Sequence, residues 1–301
     1  MTAALIGIDW GTSSFRAWRI DGAGRVIDAV TEGPGILAAI TQPGGFEGAL
    51  TRAIGGWLGA APIIASGMIT SRNGWVETPY LPLPLDLSAL AGGLVAHETG
   101  FGRIHFVCGA ISDRDGPSPD VMRGEETEII GHLADSNPDG LFILPGTHSK
   151  WAQVRAGRLT GFRTVMTGEM FQLMRDHSIL GRLIQPGPPD PEAFGRGVAA
   201  GGQGGPLLGR IFSARSLALL ERLGPGQIAD YLSGLLIGDE VAQCLADAPD
   251  APDAPVTIIG RGDLADRYRI ALQAQGVRAQ IAPAGMAQRG LWNIAQTAGI
   301  V

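Results

Sequence analysis

The sequence predicts an α/β fold made of two similar halves with a ligand cleft between them. Three observations carry this reading: a three-stranded meander occurs twice, alternating helices and short strands follow each copy, and each meander opens on a turn rich in Gly, Thr and Ser. The 301 residues, 45% of them apolar, can bury a sizeable core and suit two domains better than one.

In the first half, residues 4–9, 15–20 and 26–31 read as strands, with Asp21-Gly22 and Gly24 as turn signals. A helix over 44–58, a buried strand over 62–65, a helix over 87–98, a strand over 104–108 and a helix over 125–134 complete it. After Pro138-Asp139-Gly140 the order resumes with strands at 141–144, 151–155 and 159–164, the last two joined at Ala156-Gly157. Helices at 169–180 and 228–245, a strand at 256–259, a helix at 264–275, a strand at 278–281 and a helix at 286–298 follow. This second copy carries an inserted helical segment, and its Gly/Pro-rich stretches 185–206 and 248–255 read as loops. The domains are therefore expected at 1–137 and 138–301, with the last helix free to pack back on the first.

Bulk chemistry excludes several classes. A formal charge of −6 offers no uniform basic field for a polyanion, so nucleic acid is not expected as a partner and any phosphate site must be local. Cys108 and Cys244 stand far apart without metal-ligand spacing, which suits reduced thiols in a cytoplasmic setting. The opening MTAALIGIDWG lacks a cationic lead and is broken by Asp9, so it reads as a strand. No apolar run approaches the roughly 18 residues a membrane span needs, and no membrane partner is expected.

The chemistry concentrates in three elements. Asp9-Trp10-Gly11-Thr12-Ser13-Ser14 joins the first two strands, where Gly11, Thr12 and Ser13 offer backbone and hydroxyl donors to phosphate oxygens. Asp9 would supply charge for Mg²⁺, which is usually held by one or two carboxylates plus the phosphates. The competing reading is a plain turn with a solvated Asp. A second match in the corresponding place, Pro145-Gly146-Thr147-His148-Ser149-Lys150, makes coincidence harder: two facing turns could grip a triphosphate, with Lys150 as a point charge on it or as a solvated residue. In the third element, Ile258 to Asp263, a strand runs into Gly260-Arg261-Gly262 at a helix start, which suits close approach to an adenosine or is a simple turn. Gly201 to Gly205 follows no strand and is not a dinucleotide loop.

These elements in this order resemble the sugar-kinase branch of the superfamily that includes actin, hexokinase and the heat-shock ATPases. That resemblance implies two ribonuclease H-like (actin-like ATPase) domains, with ATP and Mg²⁺ as cofactors. It narrows on Asp9-Trp10-Gly11, Gly74-Trp75 with Pro79-Tyr80, residues 121–127 (VMRGEET), Pro145 to His148 with Lys150-Trp151, residues 162–169 (FRTVMTGE) and residues 233–238 (SGLLIG). These blocks, spread over nearly the whole chain, are similar to the 2-dehydro-3-deoxygalactonokinase family. The family implies ATP-dependent phosphorylation of the 6-hydroxyl of 2-dehydro-3-deoxy-D-galactonate. Alternatives are a kinase of another sugar or sugar acid on the same fold, or an actin-like ATPase that serves as an interaction protein.

A group must orient the attacking hydroxyl and accept its proton. In related carbohydrate kinases this is an Asp after Gly at a helix start, and Gly124-Glu125 occupies the equivalent place here. Glu125 is the expected base, with Glu126 as the alternative if the helix starts one residue later. For a sugar acid's carboxylate and oxygens, the loop after the 62–65 strand offers Ser71, Arg72 and Asn73, with Trp75 or Tyr80 as pocket walls. Arg72 is equally a solvated loop residue. Arg123 and Arg163 are rival anion partners, and Arg163 has a structural salt bridge as its other reading. His148 alone among the five histidines lies in a phosphate turn; the others read as structural. The oligomeric state is left open, a homodimer included.

Overall fold

Apolar residues run almost unbroken through β1 (Leu5–Trp10), so this strand is buried on both faces and takes a central place in its sheet. It is followed by β2 (Phe15–Ile20), β3 (Val26–Val30), the short α1 (Ile36–Ala39), α2 (Gly45–Ile54) and β4 (Ile63–Ser66). Next come β5 (Tyr80–Pro82), α3 (Leu87–Gly92), β6 (Val95–Thr99), β7 (Gly102–Phe106), β8 (Gly109–Ser112), β9 (Asp120–Met122) and α4 (Glu125–Leu133). The coordinates are a computed structural model that describes residues 2–133, 139–247 and 255–301.

The main sheet runs β3-β2-β1-β4-β7-β6, with β1 antiparallel to β2 but parallel to β4. One core sits on it, built from Ile6, Ile8, Trp10, Phe15, Phe46, Leu50 and Phe106 among others. A small sheet, β5-β8-β9, lies in the same unit.

The later elements are β10 (Gly140–Leu144), β11 (Ser149–Arg155), β12 (Arg158–Val165), α5 (Thr167–His177), α6 (Pro191–Gly201), α7 (Leu207–Ile211), α8 (Ser213–Leu219) and α9 (Ile228–Ala246). After them come β13 (Val256–Ile258), α10 (Gly262–Ala274), β14 (Ala279–Ile281) and α11 (Met286–Thr297). Their sheet, β12-β11-β10-β13-β14, repeats the order of the first five strands of the other sheet, and β10, β13 and β14 are parallel. Two compact units result: Met1–Pro138 with Val154–Phe162 and Gly285–Val301, and Asp139–Gln153 with Arg163–Ala284.

Glycine seams hold the site-bearing helices. A side chain on Gly131 of α4 would collide with the Met286 carbonyl of α11, and one on Gly290 of α11 with the Thr127 carbonyl of α4. Likewise α6 and α9 meet through Gly197, Gly201, Gly234 and Gly238, each bare Cα facing backbone of the other helix.

That seam corrects one expectation. The stretch 185–206 is not all loop, because α6 occupies its centre, capped by Asp190, whose Oδ1 accepts from the Ala193 N–H at 2.9 Å. Gly197 and Gly201 punctuate the sequence because they face α9, not because the chain turns. The helix expected over 87–98 is also shortened: Gly92-Gly93 ends α3, and Val95, His97 and Thr99 alternate inward on β6, paired with β7. His97 thus lies on a strand. The strands β5, β8 and β9 were not anticipated, being three or four residues each. Residue 134 of the expected α4 end, the break near 138 and most of the expected 248–255 loop lie outside the described residues.

Candidate functional site

In the first unit the chemistry gathers where β1 and β4 end and α4 begins. Asp9 is in register with Ser66, so the residue after β4, Gly67, comes beside it. Gly67 has φ +94°, and a Cβ there would stand 3.0 Å from Asp9 Oδ1 and 2.9 Å from the Trp10 carbonyl. Gly124, at φ +107°, is equally close on the far side: its Cβ would lie 3.2 Å from the Gly67 Cα. Only glycines let Asp9 and the start of α4 approach across this point.

Arg16 on β2 donates from Nε to Asp9 Oδ2 at 2.9 Å and from Nη2 to the same oxygen, and also reaches Glu128 Oε1 at 3.4 Å. Glu128 is pushed up to about 7, by burial first and then by Asp9, against the pull of Arg16. Glu126 is buried, both of its oxygens accept from the Gly124 N–H at 2.9 Å, and burial followed by the Glu125 charge lifts it to about 8. Glu125 is half-buried and accepts from the Arg123 N–H at 3.0 Å.

Thr12 and Ser13 are exposed on the β1–β2 turn, which closes through Gly11 N–H to the Ser14 carbonyl at 2.9 Å. A strap over residues 33–37 backs it: Trp10 Nε1 donates to Pro34 O at 2.9 Å and Ile36 N–H to Gly11 O at 3.0 Å. The strap comes so close at Gly35 that a side chain there would strike the Thr12 carbonyl.

In the second unit, three loops meet at the C-terminal ends of parallel β10 and β13: the 145–148 turn, the start of α5 and the start of α10. Glu169 N–H donates to Thr147 O at 2.9 Å, and Gly168 packs its bare Cα on Gly146 and Thr147. A Cβ on Gly260 would stand 3.3 Å from Pro145 Cδ. Helix N-termini and turn amides at strand C-termini make a site suited to phosphate. Beside it lies a cavity of about 630 Å³, lined in part by Phe171, Gly187, Ser233, Leu264 and Arg267. That size and lining suit a nucleoside.

A family model described as 2-keto-3-deoxy-galactonokinase matches residues 9–294. The chain belongs to this family. It is 35% identical over 279 residues to the 2-dehydro-3-deoxygalactonokinase of Escherichia coli (strain K12), covering 92% of this chain and 91% of that one. A crystal structure from Sinorhizobium meliloti, described as a candidate 2-dehydro-3-deoxygalactonokinase, superposes with TM-score 0.87 at 33% identity, covering 97% and 98% of the two chains. The actin-like fold extends further: an activator of 2-hydroxyisocaproyl-CoA dehydratase from Clostridium difficile, with bound ADPNP, matches at TM-score 0.52 and 12% identity over 97% and 95%.

Set against this family's expected site, the residues sort by their surroundings. Asp9, Gly11, Thr12, Ser13, Glu125 and Glu126 fall in one unit, and Gly146, Thr147, His148, Lys150, Gly260, Arg261 and Gly262 in the other. His148 is bound through Nε2 to Glu169, and Lys150 is buried, so neither stands as a free solvated cation. Arg261 and the glycines beside it are exposed.

Several substrate-loop expectations change. Trp75 is partly buried, with its ring packed on Phe46, His97 and Phe106 at the edge of the core. Arg123 is buried with its two terminal nitrogens engaged by the loop after β4: Nη1 donates to Thr70 Oγ1 at 2.9 Å and Thr78 Oγ1 at 2.6 Å, and Nη2 to Thr78 O at 2.6 Å. The group lies 4.0 Å from the Tyr80 ring centroid. Arg163 is paired with Asp247 at the end of α9, the structural reading of that residue. Ser71 is buried, with its hydroxyl unpartnered among the described residues, as is Arg123 Nε; Arg72 and Asn73 are exposed.

Sequence reasoning missed Arg16, Glu128 and Glu240. Arg16 and Glu128 could have been found from alternation and helical spacing, since Arg16 sits opposite Asp9 across β1–β2 and Glu128 lies three residues past Glu125. Nothing in the apolar run of α9 marks Glu240.

Proposed function

We propose that this chain transfers the terminal phosphoryl group of ATP to the 6-hydroxyl of 2-dehydro-3-deoxy-D-galactonate, giving the 6-phosphate and ADP. The observation that carries the reading is the cluster in which Asp9, Gly67 and Gly124 bring the start of α4, and with it Glu125, to the end of β1.

Glu125 is the group proposed to accept the hydroxyl proton as the new P–O bond forms. Glu126 serves less well, because it is buried, holds the Gly124 N–H and favours its protonated form up to about pH 8. Asp9 would hold Mg²⁺. The donor set suits the ion: Oδ2 takes the Arg16 bonds, while Oδ1 faces the bare backbone of Gly67. Among the described residues no group of three or more His, Cys, Asp or Glu is arranged around a metal, which agrees with a cation held largely by phosphates and water. When bound, the ion neutralises charge on the β- and γ-phosphates.

The second unit's 145–148 turn and the N-termini of α5 and α10 are assigned to the phosphates, and the adjoining cavity to the adenosine. The orphaned Ser71 hydroxyl and Arg123 Nε are assigned to the sugar acid, since buried donors without partners call for a ligand. Exposed Arg72 and Asn73 close on the same acid. No described helix is long and apolar enough to cross a membrane, and we place the reaction in the cytoplasm.

The test is ADP release with MgATP and either 2-dehydro-3-deoxygalactonate or its gluconate epimer. Stimulation by the galactonate acid, with the epimer weaker in kcat/KM, is expected. ADP release indifferent to both acids would remove the reading in favour of an ATPase that needs no sugar.

A further inference from the structure

A buried carboxylate ties the turn over residues 145–148 of the second unit to its neighbours. Glu240 is buried in α9, between the buried Asp239 and Val241. Its Oε1 accepts from Trp151 Nε1 at 2.7 Å, and its Oε2 accepts from the Tyr268 hydroxyl at 2.6 Å. The Tyr268 hydroxyl is also 2.6 Å from Ser149 Oγ. Burial pushes the Glu240 pKa up, and hydrogen bonding by Thr167, Tyr268, Trp151 and Ser149 pulls against that rise.

These partners are not scattered. Ser149 is the first residue of β11 after the 145–148 turn, and Trp151 stands two residues on, on the same face. Thr167 is the first residue of α5, directly before Gly168, which presses on Gly146, and Glu169, whose N–H donates to the Thr147 carbonyl. Tyr268 is on α10, whose start lies beside Pro145. One buried acceptor therefore joins all three loops proposed to hold the phosphates.

Burial makes an isolated carboxylate costly, and an apolar residue of similar volume would fill the same space without that cost. A carboxylate accepts from several converging donors and gives none, and with the Tyr268 proton directed at Glu240 the Ser149 hydroxyl donates to Tyr268.

We propose that Glu240 is a positioning residue for nucleotide phosphate: through Trp151, Ser149, Thr167 and Tyr268 it sets the distance between the 145–148 turn and the N-termini of α5 and α10. The inference rests on the assignment of those loops to ATP made above.

Glu240→Met keeps the volume and removes the acceptor, and Glu240→Gln restores one acceptor oxygen. In the full chain, Glu240→Met is expected to raise the MgATP KM and the calorimetric MgATP Kd about tenfold, the loss typical of a hydrogen bond to a charged group. The KM for the sugar acid stays within about twofold, because the acid meets the other unit. Glu240→Gln falls between Glu240→Met and the wild type. If Glu240→Met does not fold, Tyr268→Phe decides: it removes one donor to Oε2 and is expected to weaken MgATP several-fold.

Unchanged MgATP binding in the folded variants overturns the proposal, and so does a rise in both KM values together with a lower Tm. Failure of the functional reading is separate. It shows as a wild-type chain that binds MgATP but phosphorylates neither acid, and the calorimetric arm still tests Glu240.

Discussion

The turn over residues 9–14 and the turn over residues 145–150 share Gly and Thr and occupy the same place in sheets of the same strand order, but unlike supports hold them. The first is backed by a strap of backbone at Pro34 to Leu37 and carries charge at its base, where Arg16 bridges Asp9 and Glu128. The second is backed by the start of α5 and rests on a neutral-donor network around one buried carboxylate, Glu240. The difference teaches that the repeat conserves the shape of a turn, while each copy's surroundings decide what it does. A charged base suits a cation and the reacting oxygen, and a ring of amides and hydroxyls suits the nucleotide's phosphates.

The comparison breaks most visibly at the acceptor. Glu125→Gln is expected to lower kcat by about 10² to 10⁴ while the MgATP Kd stays near that of the wild type, since only a transition-state role is removed. Single-turnover kinetics with calorimetry would check it, and near-normal turnover would move the base elsewhere.

The next effect is on stability and is confined to the first unit. Glu126 has its folded pKa raised from 4.5 to about 8, so it favours the folded state when protonated. Its stabilising contribution is present below the unfolded value and is lost as pH rises toward about 8. Urea unfolding between pH 5 and 8 should show the wild type losing up to about 1.4 kcal/mol per pH unit relative to Glu126→Gln. Parallel curves for the two proteins would place the proton elsewhere.

A matched pair of smaller changes compares the two supports directly. Gly35→Ala drives a methyl into the Thr12 carbonyl, and Gly168→Ala drives one into Gly146. Each is expected to cost about 1 to 3 kcal/mol by overpacking. Their kinetic signatures should differ: Gly168→Ala raises the KM for MgATP, and Gly35→Ala lowers kcat with little change in it. Identical signatures would mean that the turns share one role.

The smallest expected effect is at Arg163. Its pair with Asp247 is exposed, so Arg163→Ala should change stability by less than about 1 kcal/mol and leave both KM values alone. A large rise in the acid's KM would return Arg163 to the substrate.

The doubled meander, the helices with clear apolar periodicity, and the two Gly/Thr turns that open the meanders were legible in the amino-acid order, because period and turn chemistry are local properties of the chain. Short motifs also mark Asp9 and the Gly124-Glu125 pair as candidates, and the structure brings them to one cluster. The three-residue strands β5 and β9, the hairpin partner β6 and the helix α6 were not. Short strands exist only through their neighbours, and the glycines of α6 look like breaks until α9 is laid against them.

Tertiary structure alone decided which polar groups were already spoken for. Nothing in the sequence shows that the terminal nitrogens of Arg123 are taken by Thr70 and Thr78 while its Nε is left over, or that the Trp75 ring packs on Phe46. Glu240 reads as an ordinary helix acid until the donors of β11 and α10 converge on it. Residue type sets what a group is able to bond, but burial and the partners brought from distant sequence set what it does bond.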